Sequence, residues 1–540
     1  MIKQISVGWR LSISALSSLL LTGYAAAATP EQIAHGQGLF TQEFVSTPLN
    51  ENGDGLGPVF NHNSCVACHR AGGVGGAGDH RFNARTFSLG EIRFNQNQNG
   101  RSLAEVLKVV APGFVSADNQ IVNTAPMHRR GGSSDFDQLR QQTMARFNPH
   151  WLNDASINSD AVHAEASPQQ IVDSTGTLRM TGHIFARNTT ALFGAGLIDM
   201  VPDSVIREQF KAQQRHPEIK GRPATLADGR IGKFGWRANF ATLLEFTENA
   251  CVNELGLQSK GVPQPKDMTK PSYINAQIDI DDESIVAMNS FIAALPAPMR
   301  LAAEDSQHQK EIATGERRFN AIGCAVCHVP NLGPASGLYS DLLLHDMGPS
   351  SRDYNAAPPY RKNVSIGYEP FRAFNLSYYG DVTPLSDTNF LRSRTANREF
   401  RFEAPQRPLK TVKVPITSGR NNTIVEEKAA NVGRSTVRAL VHRRMSFSDV
   451  IPTNFTQEWR TAPLWGLSDS APYMHDGRAE TVLEAIAMHA GESERTRNRF
   501  FALPFEDQQA VLTFLSRLVA PQSGVIPVNK DFERRDLAAN

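Results

Sequence analysis

Cysteine and histidine recur in one fixed spacing at two places in this chain, Cys65-Val66-Ala67-Cys68-His69 and Cys324-Ala325-Val326-Cys327-His328. Thiols three positions apart can reach one edge of a porphyrin and add to the haem vinyl groups. The histidine that follows swings beneath the ring as proximal iron ligand. Two Cys-x-x-Cys pairs would also suit a zinc site of four cysteines. That alternative leaves both histidines without a role and must bridge the long stretch between the pairs. The spacing therefore predicts two covalently bound haem c groups, one on Cys65, Cys68 and His69, the other on Cys324, Cys327 and His328.

What a haem does depends on whether its sixth position is filled or open. After the second motif, Met474-His475-Asp476-Gly477-Arg478-Ala479 leads into a helical stretch from Thr481 that carries His489. After the first, Phe234-Gly235-Trp236-Arg237-Ala238 leads into Leu243-Leu244-Glu245. Matching Leu244-Glu245 to Leu483-Glu484 puts Ala250 where His489 stands. Alanine cannot ligate iron, so the first haem is expected to be open and the second six-coordinate through His489. The alternatives are a helix-face His489 paired with Glu492, and Met488, Met474 or Met347 as sixth ligand. His62, His80, His128 and His183 are candidates to close the first haem, His80 foremost because its glycine-rich loop could swing.

The elements that must position these residues are duplicated. Ala34-His35-Gly36-Gln37-Gly38-Leu39-Phe40 precedes the first motif and Ala313-Thr314-Gly315-Glu316-Arg317-Arg318-Phe319 the second. Both read A-x-G-x-x-x-F, a leading helix. Arg187-Asn188-Thr189 with Leu192-Phe193-Gly194 is answered by Arg460-Thr461 with Leu464-Trp465-Gly466. Each half closes on a helical pattern ended by proline, with Ile285, Met288, Ile292 and Leu295 as the apolar stripe of the first. Three matched landmarks in one order predict a two-domain duplication, 29–300 and 301–540, rather than a many-copy array. Alternation at Val412, Val414 and Ile416 suggests a small β excursion at 410–425.

The first 28 residues read as an export signal. Lys3 and Arg10 supply positive charge, residues 11–21 a short apolar stretch, and residues 25–28 small cleavage sites. That stretch is too short for a spanning helix, no later one is long enough either, and no cysteine stands near the cleavage region. A soluble, periplasmic protein of about 510 residues is expected, enough for two or three domains. Export suits c-type haem, which is attached outside the bacterial cytoplasm. Of five cysteines the motifs use four, leaving Cys251 as a buried thiol without a disulfide partner. The formal charge of +1 gives no electrostatic case for nucleic acid or a membrane surface.

The motifs resemble a known family. Arg460-Thr461-Ala462-Pro463-Leu464-Trp465-Gly466, Tyr473-Met474-His475-Asp476-Gly477-Arg478-Ala479, Phe234-Gly235-Trp236-Arg237-Ala238, Leu344-His345-Asp346-Met347-Gly348 and Gly55-Leu56-Gly57-Pro58 are similar to segments of the bacterial di-haem oxidoreductase (peroxidase) family. That family is related to the di-haem cytochrome c peroxidases and the methylamine-utilisation di-haem enzyme. The resemblance implies a peroxidatic amino-terminal haem and a carboxy-terminal haem that receives electrons. The relatives carry Met or Tyr at the place of His489; histidine there departs from the pattern and points to a bis-His second haem of lower potential. Glu254-Leu255-Gly256 resembles their Glu-Met-Gly segment, which makes Glu254 the candidate general acid–base for moving a proton between the peroxide oxygens. Arg187 and Arg237 are candidates to stabilise developing charge or bind haem propionates. The segment from Asn50 to Gly55 mimics the start of a calcium loop but has Asn61 at its twelfth position. Because the related peroxidases hold calcium between their haems, Ca²⁺ stays a candidate.

The expectation is a mainly α fold of two cytochrome c-like haem domains with long loops and a small β excursion. Its favoured activity is reduction of H2O2 with electrons from a small c-type cytochrome or cupredoxin. The rivals are a non-catalytic di-haem electron-transfer cytochrome, and oxidation of an organic or protein substrate at a high-valent haem.

Overall fold

The computed structural model describes residues 28–50, 53–94, 102–110, 114–115, 124–128, 130–131, 133–147, 169–172, 178–226, 228–270, 272–353, 361–368, 374–379, 443–446 and 455–528. All but the last residue of the expected export signal, and all of the 410–425 excursion, lie outside them.

Each haem motif is framed by a leading and a closing helix. Helix α1 (Pro30–Thr41) starts with proline and is capped by Thr29, whose side chain accepts from the Gln32 N–H. Helix α2 (Leu243–Leu255) precedes α3 (Asp282–Ala294), which Asp281 caps. In the second half Asp305 caps α4 (Ser306–Ile322), followed by the short α5 (Val482–Ala487) and the closing α6 (Phe505–Ser516).

The leading helix packs on the closing helix in the same way twice. Gly36 of α1 lies so close to α3 that a methyl group would collide with the Ala287 carbonyl and the Phe291 side chain. Gly315 of α4 meets the Ala510 carbonyl and Phe514 of α6 in the same manner. Beside each glycine an aromatic pair interlocks, Phe40–Phe291 at 5.3 Å and Phe319–Phe514 at 5.5 Å between ring centres. The shared A-x-G-x-x-x-F pattern thus records a close helix crossing and an aromatic clasp.

The helix that follows each aromatic-glycine segment also starts alike. Thr242 and Glu245 form a reciprocal capping box for α2, and Thr481 and Glu484 do so for α5. This fixes the register of the two helices relative to each other.

Described residues are helical with several small sheets, the largest of which the sequence reading missed. Strands β1 (Ala84–Phe94), β2 (Thr124–Pro126), β3 (Gln169–Val172) and β4 (Leu178–Arg187) form an antiparallel sheet in the order β2-β1-β4-β3, inside the first half. The signal was present: Leu178, Met180, Ile184 and Ala186 alternate and are buried. They share a core with Phe87, Leu107 and Met127.

The two halves are bound together across residue 301. Strand β5 (Leu344–Asp346) pairs with β6 (Glu458–Arg460), and Arg222 of the first half bridges to Leu344 and ion-pairs with Glu458 at 2.5 Å. One hydrophobic core runs from Phe40, Phe193 and Phe291 to Leu338, Leu343 and Trp465. No helix among the described residues is long and apolar enough to cross a membrane.

Candidate functional site

Both motif histidines are set in the same way. His69 Nδ1 lies 3.2 Å from the Gly76 carbonyl and His328 Nδ1 2.9 Å from the Tyr339 carbonyl. A carbonyl can only accept, so Nδ1 carries the proton and Nε2 keeps its lone pair for a metal. Burial holds both imidazoles down to about 4, against these hydrogen bonds, so they stay neutral at physiological pH. The phenylalanine of each leading helix sits beside its imidazole, Phe40–His69 at 6.2 Å and Phe319–His328 at 6.4 Å.

A cavity of about 300 Å³ with mostly apolar walls holds Cys324, Cys327 and His328, with Phe319, Ile486 and Leu515 among its lining. His489 lines it as well, its ring centre 6.3 Å from that of His328. Two imidazoles bound to one metal from opposite sides, with bonds of about 2 Å, bring their ring centres to roughly 6 Å apart. His489 Nδ1 donates to the Ala485 carbonyl at 2.6 Å, again leaving Nε2 available. Arg460 lines the same cavity, and its Nη1 is buried with no partner, a cationic donor suited to a porphyrin carboxylate. The residues present fit a haem.

The zinc alternative does not fit. Among the described residues no three of the motif sulfurs lie within 4.8 Å of one another, as a tetrahedral site with bonds of about 2.3 Å requires. Burial pushes the Cys65 and Cys324 thiols up to about 12, so neither is a ready thiolate. Cys251 is buried beside Leu56, Leu255 and Met288 and is likewise held protonated by burial.

Glu254 stands on the last turn of α2, its backbone carbonyl accepting from Asn61 N–H at 2.7 Å. Burial pushes its carboxyl up to about 7, while a hydrogen bond with the Asn61 side chain pulls the other way. A carboxyl that titrates near neutrality can both take and give a proton.

Arg187 and Arg237 are brought together, and the side-chain partner of Glu254 is Asn61. Both face Asp353: Arg187 in a short hydrogen-bonded ion pair, Arg237 at 4.0 Å. Both also lie over the Trp459 ring, at 4.9 and 4.1 Å from its centre, and Trp459 stacks on His475 at 3.6 Å. The sequence reading missed Asp353 and Trp459. Trp459 sits next to the landmark Arg460, whereas nothing local marks Asp353.

Several of the other candidate side chains have partners within the protein. Glu492 binds His345 at 3.0 Å, not His489. His80 pairs with Glu480 at 2.8 Å, His128 with the Asn253 carbonyl at 2.6 Å, and His183 with Asp353 at 3.4 Å. The calcium-like loop spends its acid on neutral donors: Asp54 accepts from Gln264 and Asn275 at 2.9 Å each and from the Tyr273 hydroxyl.

Residues 448–518 match the family model described as "Di-haem oxidoreductase, putative peroxidase". This is the family that the motifs resemble. No curated protein matches the chain. Similar solved structures include a hydrazine synthase of Kuenenia stuttgartiensis, 15% identical over 62% of this chain and 73% of that one, with a TM-score of 0.25. Another is a MauG-like protein associated with microbial copper homeostasis, 12% identical over 72% of this chain and 91% of that one, with a TM-score of 0.24. At these values neither likeness establishes a fold.

Proposed function

We propose that this di-haem oxidoreductase is an exported, periplasmic peroxidase of two haem-bearing domains, 29–300 and 301–540. Haem c is covalently held on Cys65 and Cys68 with His69 as ligand, and on Cys324 and Cys327 with His328. His489 is the sixth ligand of the second haem. Electrons from a small c-type cytochrome or cupredoxin enter there and are used at the first haem to reduce H2O2.

One observation carries the reading: His489, eight residues after the Thr481 cap and just past the end of α5, faces His328, while the position eight residues after the matching Thr242 cap is Ala250. When bound, the haems supply the electrons and the iron that breaks the O–O bond. The chain supplies the rest. Glu254 takes a proton from the inner peroxide oxygen and returns it to the outer one, which leaves as water; its carboxyl near 7 suits both acts. The two neutral motif histidines are oriented by carbonyls, and Arg460 offers a cationic wall.

The test is the EPR and visible spectrum of the purified oxidised protein before and after H2O2. The expected result is one high-spin and one low-spin haem, with the high-spin one reacting. Two low-spin haems that persist even after one-electron reduction would sink the peroxidase and leave an electron-transfer cytochrome.

A further inference from the structure

A hydroxyl on a helix usually returns its hydrogen to the carbonyl four residues earlier. Thr143 does so to Leu139 at 2.7 Å, Ser290 to Val286 at 2.8 Å and Thr314 to Lys310 at 2.8 Å. Thr247 on α2 does not. It is 4% exposed, and its Oγ1 is buried with no hydrogen-bond partner.

Its direction follows from its neighbours on α2: Leu243 and Cys251, a turn to either side, belong to buried clusters against which Cys65 of the first motif packs. Counted from the caps, Thr247 and Ala250 stand where Ile486 and His489 do, and Ile486 and His489 line the cavity at the second motif. Helix α5 ends at Ala487, whereas α2 runs on to Leu255, so Glu254 follows Thr247 and Ala250 at i, i+3 and i+7 along one stripe. A pair that is apolar and imidazole at the second motif is hydroxylic and empty at the first, with an acid beyond it.

We propose that Thr247 positions the exogenous ligand of the first haem, its hydroxyl donating a hydrogen bond to a small oxygen or fluoride ligand on the face that Ala250 leaves open. This rests on the open first haem proposed above and adds a donor to it. Water, hydroperoxide and fluoride all present lone pairs, and an ionised Glu254 can only accept. The two side chains therefore divide the work: Thr247 donates to the bound atom, and Glu254 receives the ligand's proton. The β-branch of threonine limits its χ1 choices, so the donor is held in few orientations.

Fluoride binding to the oxidised, haem-loaded full-length protein tests this, read from the high-spin absorption band. Thr247→Val should weaken fluoride binding about tenfold, the size of one hydrogen bond to an anion. Thr247→Ser should bind like the wild type, and the low-spin spectrum of the second haem should be unchanged in both. Wild-type affinity in Thr247→Val overturns the assignment and leaves the open haem standing. A wild-type protein that binds no fluoride overturns the open haem, and this proposal with it. If Thr247→Val yields no folded protein, Thr247→Ala removes the hydroxyl without adding a methyl and is judged by the same criterion.

Discussion

Helices α2 and α5 start from the same reciprocal cap, Thr242 with Glu245 and Thr481 with Glu484, yet present different faces to their haem motifs. Five and eight residues after its cap the second segment carries Ile486 and His489, the latter just past the end of α5; the first carries Thr247 and Ala250. What the duplication keeps is scaffolding: the caps, the glycine crossings at Gly36 and Gly315, and the carbonyls that orient His69 and His328. What it changes is the pair of side chains at those two positions. On the function proposed above that change divides the labour, because axial ligation decides whether a haem carries electrons or binds substrate.

The comparison can be broken most severely by making the two faces alike. Ala250→His, read by EPR and peroxide turnover, should convert the first haem to low spin and abolish peroxide reduction; retained activity would refute the register. Glu254→Gln should keep both spectra and lower kcat/KM for H2O2 by roughly 10²–10⁴-fold. In the wild type, kcat/KM should rise with pH through about 7 as Glu254 ionises, and that limb should vanish in the variant. The same raised carboxyl has a consequence for stability. The fold favours its protonated form, so its contribution is fully present below 4.5, the ordinary value, and is lost as pH rises through about 7. Denaturation midpoints of wild type and Glu254→Gln across that window check the sign.

Smaller effects sharpen the comparison. His489→Met should leave the second haem low-spin but raise its potential by a fraction of the roughly 0.8 V that axial ligands span; redox titration measures it. Gly36→Ala and Gly315→Ala should each destabilise by about 1–3 kcal/mol, since a methyl in either crossing meets backbone. Gly38→Ala, whose added methyl would meet nothing, should stabilise the helix by about 0.5–1 kcal/mol. Thermal melts of the three variants would show whether the crossings are equivalent.

Much of the scaffold was legible in the sequence because it is local. Cys-x-x-Cys-His, a capping threonine three residues before glutamate, and glycine four residues before phenylalanine each act within a turn or two of chain. Strand β4 was legible in the same sense, through its alternating Leu178, Met180, Ile184 and Ala186, though it was not read. The long-range partners were not legible. Asp353 joins His183, Arg187 and Arg237 from far along the chain, and its own neighbours carry no mark of that role. The arginines read as stabilisers of developing charge or holders of haem propionates, Arg187 and Arg237, meet a carboxylate and the Trp459 ring.

The sequence by itself determined where thiols and imidazoles can meet a haem, and that one half has histidine where the other has alanine. Only the tertiary structure decided that His489 faces His328 rather than Glu492, and that Asp54 is filled by amide and phenol donors. It alone left the Thr247 hydroxyl buried without a partner. The reason is physical: spacing fixes which groups share a turn, but which charge is matched and which hydrogen bond goes unmade depend on residues that only packing brings together.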